Sequence, residues 1–179
     1  MIRVRRAVEA AKIIAFCVAA AVIYGILHDM VTANVCVEYF TIAHPPVFPT
    51  ENPFLLAFGW GVIATWWVGL PLGILLAAAS QIGPNPIAFL DLRRRIVFVM
   101  LISAAAALVC GLVGLTLGLL GRFPLTLGWN SVIPPAGQAR FAFDAWAHLA
   151  SYGFGALGGL ALIVITAFSR ASSFARRSI

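Results

Sequence analysis

Four long runs of apolar residues, separated by short polar stretches, dominate the chain. They cover about residues 8–27, 54–80, 96–120 and 145–168. Each is long enough to cross the apolar part of a bilayer as a helix, which takes about 20 residues. The runs do not alternate polar and apolar residues as barrel strands do, and a helix satisfies its own backbone hydrogen bonds. The pattern therefore predicts an up-and-down bundle of four transmembrane helices.

The composition supports a lipid environment for this bundle. Of the 179 residues, 62% are hydrophobic and 10% are charged, and the mean hydropathy is +1.00. Soluble domains contain about 25% charged residues. A chain of this length cannot bury so much apolar surface in its own core. We therefore predict a single all-α membrane domain that spans residues 1–179, without a separate soluble domain.

The basic residues predict the orientation of the bundle. Ten of the 12 Lys and Arg residues lie on the side that holds both termini and the loop at residues 81–95. These are Arg3, Arg5, Arg6, Lys12, Arg93, Arg94, Arg95, Arg170, Arg176 and Arg177. Only Arg122 and Arg140 lie on the other side. Because basic residues concentrate on the cytoplasmic side, we expect cytoplasmic termini and external loops at residues 28–53 and 121–143.

The charge distribution also bears on partners and location. The net charge of +6 follows from this topology and indicates contact with anionic membrane lipid. No basic and aromatic surface exists outside the membrane flanks, so we expect no nucleic-acid partner. We expect the protein to be integral to the cell inner membrane.

All three histidines and most carboxylates fall on the predicted external side. The candidate metal ligands there are His28, Asp29, Glu38, His44, Asp144 and His148. Asp144 and His148 are four residues apart, so they share one helix face. That spacing suits two metal ligands, or an Asp that orients a His. The structural alternative is an Asp at a helix N-terminus and a His bonded to a nearby carbonyl.

The remaining candidates surround the end of the first predicted helix. His28 and Asp29 are adjacent and would point about 100° apart on a helix, so we expect both to serve one site only if the helix frays. Glu38 lies in "VCVEYFTI", whose periodicity does not decide between strand and helix. His44 precedes two prolines and is expected on a stiff, extended segment. We predict a partly ordered external loop cap here.

Taken together, these residues predict a site for a transition metal. Histidine and carboxylate ligands suit zinc or iron, and a carboxylate not used as a ligand, Glu38 or Asp144, would act as the catalytic general base. Haem held by His28 and His148 is the less favoured cofactor. Cys36 is the single external cysteine and is expected to be either buried or a softer metal ligand.

The segment "YGILHDMVTANVCVEYFTIAHPP", followed by "FGWGVIATWWVGLPLG", resembles a family of small, uncharacterised bacterial four-helix inner-membrane proteins. The resemblance covers about the first half of the chain. It implies the topology, and it implies that the external segment forms one unit. It implies no particular activity.

Three classes of function remain compatible with the sequence. The first is a metal-dependent, hydrolase-like enzyme that acts on a lipid-linked or amphipathic substrate at the outer membrane interface. The second is a non-catalytic subunit or assembly factor that docks a membrane-protein partner through its external loops. The third is a small carrier.

Small residues such as Gly111, Gly114, Gly155 and Gly159 predict close helix packing. We expect this packing within one chain in preference to a homo-oligomer.

Overall fold

The computed structural model describes residues 2–122 and 128–175, with side chains for all of these except residues 130 and 171–175. Every regular element in these two ranges is helical. The helices are α1 (Ile2–Val35), α2 (Val37–Thr41), α3 (Pro53–Ile63), α4 (Trp66–Gln81), α5 (Phe89–Leu119), α6 (Trp129–Val132) and α7 (Gln138–Ala175). A short 3₁₀ turn, Pro135–Gly137, leads into α7.

The prediction of an all-α protein with four membrane spans is confirmed for this part of the chain. The spans are Ile2–Val35, Pro53–Gln81, Phe89–Leu119 and Pro135–Arg170. The first is longer at both ends than the predicted run of residues 8–27. The polar residues His28 and Asp29 do not end the helix, because their side chains contact His148 on α7.

The second span is not one continuous helix. It is interrupted at residues 64–65, between α3 and α4, and α4 continues through Pro71. The interruption lies where α1 passes closest, since a Cβ on Gly61 would come within 2.5 Å of the Ile26 backbone. Glycine at position 61 is needed for this close approach of α1 and α3.

Helices α5 and α7 form the most extensive contact in the bundle, whereas α1 packs mainly against α3 and α4. A Cβ on Gly114 of α5 would lie 2.6 Å from the carbonyl oxygen of Ala142 on α7. The glycines of α5 therefore serve close packing within the chain, as predicted. Contacts between α1 and α5 are sparse by comparison, and a groove remains between these two helices.

The contacts define two ends of the bundle. At the first, which we call the α2 end, the end of α1, the short helix α2 and the start of α7 share a buried cluster that includes Cys36, Ile133 and Phe141. At the second, which we call the arginine end, Arg6 of α1 donates to the carbonyl oxygens of Gln81, the last residue of α4, and Gly83 in the following loop. The candidate ligands all lie toward the α2 end.

Candidate metal-binding site

Three of the six candidate ligands come together between α1 and α7. Ligand atoms of His28, Asp29 and His148 all lie within 4.8 Å of one another. Because α1 is helical through both His28 and Asp29, the expectation that it must fray there is wrong. Neighbouring side chains diverge by about 100°, and His148 approaches α1 between them.

The protonation of His148 follows from its hydrogen bonds. Its Nδ1 lies 2.8 Å from the backbone carbonyl oxygen of Asp144, one turn earlier on α7. A carbonyl only accepts, so Nδ1 carries the proton and donates it. The other ring nitrogen, Nε2, lies 3.3 Å from Oδ1 of Asp29. Asp144 thus orients His148 through its backbone rather than through its carboxylate.

The distance between His148 and Asp29 is informative. Charge-assisted N–H···O bonds are about 2.7–2.9 Å long, so 3.3 Å is long for a direct imidazolium–carboxylate pair. Two ligands of a tetrahedral ion with bonds of about 2.0–2.1 Å lie roughly 3.3–3.4 Å apart by simple geometry. A metal-bound histidine also typically donates its other N–H to a carbonyl or carboxylate. Both features are present at His148.

His28 supplies a third nitrogen. Its Nε2 is buried and has no hydrogen-bond partner among the residues that the structure describes. The ring contacts His148 edge-on at a centroid distance of 4.6 Å and stacks on Tyr24 at 5.8 Å. A buried polar atom without a partner costs about 1–3 kcal/mol. The orientation of His28 is therefore costly unless something binds its Nε2.

A cavity of about 100 Å³ adjoins the three side chains. Its wall near the cluster includes Tyr24, Ser151 and Tyr152, and the Tyr24 hydroxyl lies 2.8 Å from the Ser151 hydroxyl. A water molecule needs only about 10–15 Å³ of such space, together with polar partners. The cluster therefore has room beside it for water or for part of a small substrate.

Aromatic side chains of α2 cover the cluster at the α2 end of the bundle. Tyr39 stacks on His148 at a centroid distance of 4.4 Å, and Phe40 packs against the same ring at 5.7 Å. Phe40 is only 2% exposed. The cluster is consequently closed toward the α2 end.

Glu38 and His44 lie in this covering segment and outside the three-residue cluster. His44 donates from Nδ1 to the carbonyl oxygen of Tyr39 at 2.8 Å and packs on Trp60. Burial lowers the pKa of His44. Glu38 accepts a hydrogen bond from the thiol of Cys36 at 3.3 Å. Burial raises the pKa of Cys36 to about 12, so this cysteine is a neutral, buried thiol, the first of its two expected states.

Asp144 is fully buried, and both carboxylate oxygens lack a hydrogen-bond partner among the described residues. The spacing of Arg140 and Asp144 would allow an ion pair, but Arg140 is exposed and the pair does not form. Asp144 also lies outside the three-residue cluster. It is a buried acid close to the cluster and available for another role.

A groove of about 520 Å³ runs between α1 and α5 and is open on its outer side. Apart from Tyr24, His28 and Thr32, its wall is apolar. Tyr24, His28 and Met100 line both this groove and the cavity beside the cluster. The cluster is thus covered at the α2 end and adjoins an apolar groove between α1 and α5.

The sequence patterns did not single out Tyr24, Tyr39, Ser151 or Tyr152. A signal was present for three of them, because Tyr24 lies four residues before His28, and Ser151 and Tyr152 lie three and four residues after His148. Such spacings place them on the same helix faces as the histidines. Tyr39 had no such signal, since its position depends on how α2 folds back.

Comparison with known proteins adds no relative to this picture: no family model, no curated protein and no solved structure matches the chain. The resemblance to small bacterial inner-membrane proteins therefore stays a prediction. Function has to be inferred from the cluster itself.

Proposed function

We propose that the protein binds a transition-metal ion, zinc or iron, between α1 and α7. The ligands are His28 Nε2, a carboxylate oxygen of Asp29 and His148 Nε2. The decisive observation is the 3.3 Å separation of His148 Nε2 and Asp29 Oδ1, combined with an Nδ1 proton already donated to a carbonyl. Two imidazoles and one carboxylate form a common catalytic ligand set for zinc.

We further propose that this metal supports hydrolysis. Three protein ligands leave a fourth position for water, and the cavity of about 100 Å³ provides space for it. A bound metal lowers the pKa of such a water to about 7 and so supplies a nucleophile. Asp144, buried one turn before His148, is the first candidate for the general base, and Glu38 is the second.

The substrate in this proposal is lipid-linked or amphipathic. Tyr39 and Phe40 close the cluster at the α2 end, whereas the groove between α1 and α5 adjoins it from the lipid side. An apolar chain would occupy the groove, and the reacting polar group would lie beside His28.

Orientation in the membrane is a further part of the proposal. The arginine end would face the cytoplasm with both termini, and the α2 end would face outward in a bacterial inner membrane. Support comes from the uneven distribution of Lys and Arg, although Arg176 and Arg177 lie outside the described residues. A reporter fused after Ile179 should be active only in the cytoplasm, and one inserted at Thr50 only outside.

Geometry disfavours haem as the cofactor. Haem ligated by two histidines would require a porphyrin plane between the two rings. The rings of His28 and His148 are in edge contact at a centroid distance of 4.6 Å, which leaves no room for the macrocycle.

Metal analysis of the purified protein tests the central proposal. Protein in lipid nanodiscs, stripped with chelator and reconstituted with zinc, should retain about one ion per chain after desalting. Cobalt in the same site should show the intense visible absorption of tetrahedral coordination.

Wild-type protein that holds no stoichiometric metal after reconstitution would overturn the proposal. The cluster would then be a buried polar contact between α1 and α7, and docking of a membrane-protein partner would become the better explanation of the α2 end. If the protein binds metal but does not hydrolyse long-chain esters, the proposed metal site stands and the proposed hydrolase activity is wrong.

A further inference from the structure

Two arginines from opposite ends of the chain meet at the arginine end. Arg6, near the start of α1, donates from Nη1 to the carbonyl oxygens of Gln81 at 3.3 Å and Gly83 at 3.0 Å. Arg170, near the end of α7, lies against the same glycine, since a Cβ built on Gly83 would collide with its guanidinium. The two cationic groups therefore share one short loop.

The backbone conformation of the loop between α4 and α5 allows both arginines to approach it. Gly83 has φ +100 and Asn85 has φ 52, both in the left-handed region. Gln81 fixes the loop by donating from Nε2 to the carbonyl oxygen of Ile87 at 2.6 Å. The loop is thus held by its own hydrogen bonds, and its backbone bends around the guanidinium groups.

Four buried donors remain unsatisfied at this place. They are Nε of Arg6, Nε and Nη1 of Arg170, and Nδ2 of Asn85, and none has a hydrogen-bond partner among the described residues. Each is an N–H donor, and two of the three side chains carry a full positive charge. Buried donors in native proteins are normally paired, so the cluster calls for an acceptor with several oxygens and negative charge.

The acidic residues nearby do not fill this role. Glu9 pairs with Lys12 at 2.9 Å and accepts from the backbone N–H of Phe89 at 2.8 Å. Asp91 is exposed. Neither arginine forms an ion pair within residues 2–122 and 128–175. In the described part of the chain, therefore, no acidic side chain supplies the missing acceptor.

We propose that Arg6, Asn85 and Arg170 form a binding site for a phosphate group. Phosphate presents several acceptor oxygens, and the planar fork of arginine matches them with paired N–H donors. The group could be inorganic phosphate or the headgroup of an anionic phospholipid. Arg170 lies just after the apolar run of residues 145–168, which places the site at the level of lipid headgroups. This site is independent of the proposed metal centre.

Two binding measurements distinguish the sources of the phosphate. In the first, protein in phosphatidylcholine nanodiscs is titrated with inorganic phosphate and followed by calorimetry. In the second, protein in mild detergent is mixed with phosphatidic acid or phosphatidylcholine, and bound lipid is counted by native mass spectrometry. Saturable binding in the first assay identifies free phosphate, and retention of one phosphatidic acid over phosphatidylcholine in the second identifies the lipid.

Variants test whether the named residues carry this binding. Arg170→Gln and Arg6→Gln should each abolish it, whereas Arg94→Gln removes an equal charge from an exposed position of α5 and should leave it unchanged. Asn85→Asp keeps the size and the backbone conformation of the loop residue and places a carboxylate in the loop that both arginines contact. It should exclude the external phosphate even where the glutamine variants fail to fold.

The proposal is overturned by either of two results. One is that wild-type protein binds neither inorganic phosphate nor phosphatidic acid above the phosphatidylcholine background. The other is that folded Asn85→Asp protein binds them as well as the Arg94→Gln control does.

Discussion

The two ends of the bundle handle buried polar groups in opposite ways. At the α2 end, imidazoles and carboxylates occur together, and His148 approaches Asp29 to 3.3 Å. At the arginine end, two guanidinium groups share one loop and have no carboxylate partner among the described residues. Both clusters contain unsatisfied buried atoms. Those on Arg6, Asn85 and Arg170 are all donors, whereas those at the α2 end include Nε2 of His28 and the carboxylate oxygens of Asp144.

This difference indicates what each end should bind. Lone pairs and carboxylates attract a cation, whereas N–H donors on cationic groups attract an anion. Burying either kind of group without a partner is costly near a medium of low dielectric constant. The same physical requirement therefore predicts a metal at one end and a phosphate at the other.

The largest expected effect is the loss of metal in His148→Ala. This change removes a ligand, so affinity should fall by more than the roughly 10–100-fold that losing a ligand's hydrogen-bond partner costs. His44→Ala is the matched control, because His44 lies outside the cluster. Zinc content after reconstitution measures both, and phosphate binding at the arginine end should survive in both. Equal loss in the two variants would contradict the assigned ligand set.

The next effect concerns access to the α2 end from the lipid. Ala104 lines the groove on α5, and its neighbour Ala105 is exposed outside it. In metal-free protein with isotope-labelled histidine, phosphatidylcholine carrying a nitroxide on its acyl chain should broaden the His28 ring signals. Ala104→Phe should remove most of this broadening, whereas Ala105→Phe should not.

The groove measurement separates the proposed route from the metal site, since it needs no metal. Only three histidines contribute ring signals, and His44 serves as an internal reference outside the groove. If a water-soluble gadolinium chelate broadens His28 more than the lipid nitroxide does, the cluster is reached from the aqueous side and the lateral route is wrong.

A smaller effect is expected from the two buried acids. Asp144 has no hydrogen-bond partner in the described chain. An unpaired buried carboxyl group is favoured as the neutral acid, so in metal-free protein Asp144→Asn replaces one neutral group by another of the same size and should change the free energy of unfolding by less than about 1 kcal/mol. Asp29→Asn should lower it, because Asp29 faces His148. Thermal unfolding of metal-free protein in detergent compares the two. A clear destabilisation by Asp144→Asn would show that its carboxylate has a partner.

The smallest expected effect is a pH dependence that only the α2 end should show. Burial lowers the pKa of folded His44 below the unfolded value of about 6.5. The unfolded state then binds the proton first, so this contribution to stability is complete above about pH 6.5 and is lost as the pH falls toward the folded pKa. His44→Gln should flatten this part of the stability curve. Arginine stays charged throughout, so Arg94→Gln should leave it unchanged.

The extent of agreement between sequence and structure differs between the fold and the sites. Hydrophobic run length predicted four spans, because a helix in lipid satisfies its own hydrogen bonds and needs only sufficient apolar length. The length of the first apolar run, residues 8–27, did not predict that α1 continues to Val35. Its polar end is stable as helix because partners on α7, more than a hundred residues away, face His28 and Asp29.

The site residues illustrate the same limit. Composition and sidedness placed six candidate ligands in one region of the chain, and the structure brings His28, Asp29 and His148 together. Sequence spacing could not separate these from Glu38 and His44, because that choice depends on how α2 folds over the end of α7. For the same reason, the stacking of Tyr39 on His148 could not be anticipated.

The sequence by itself determined what depends on length and local chemistry: the membrane class, the four spans and the segregation of basic residues from histidines. Tertiary structure alone decided which polar atoms meet. Asp29 meets His148, and Arg6 meets the loop that Arg170 contacts, across separations of more than 75 residues. Contacts over such separations arise from helix packing around the glycines of α1, α3 and α5. Local patterns encode the helices, whereas these contacts also require their relative positions.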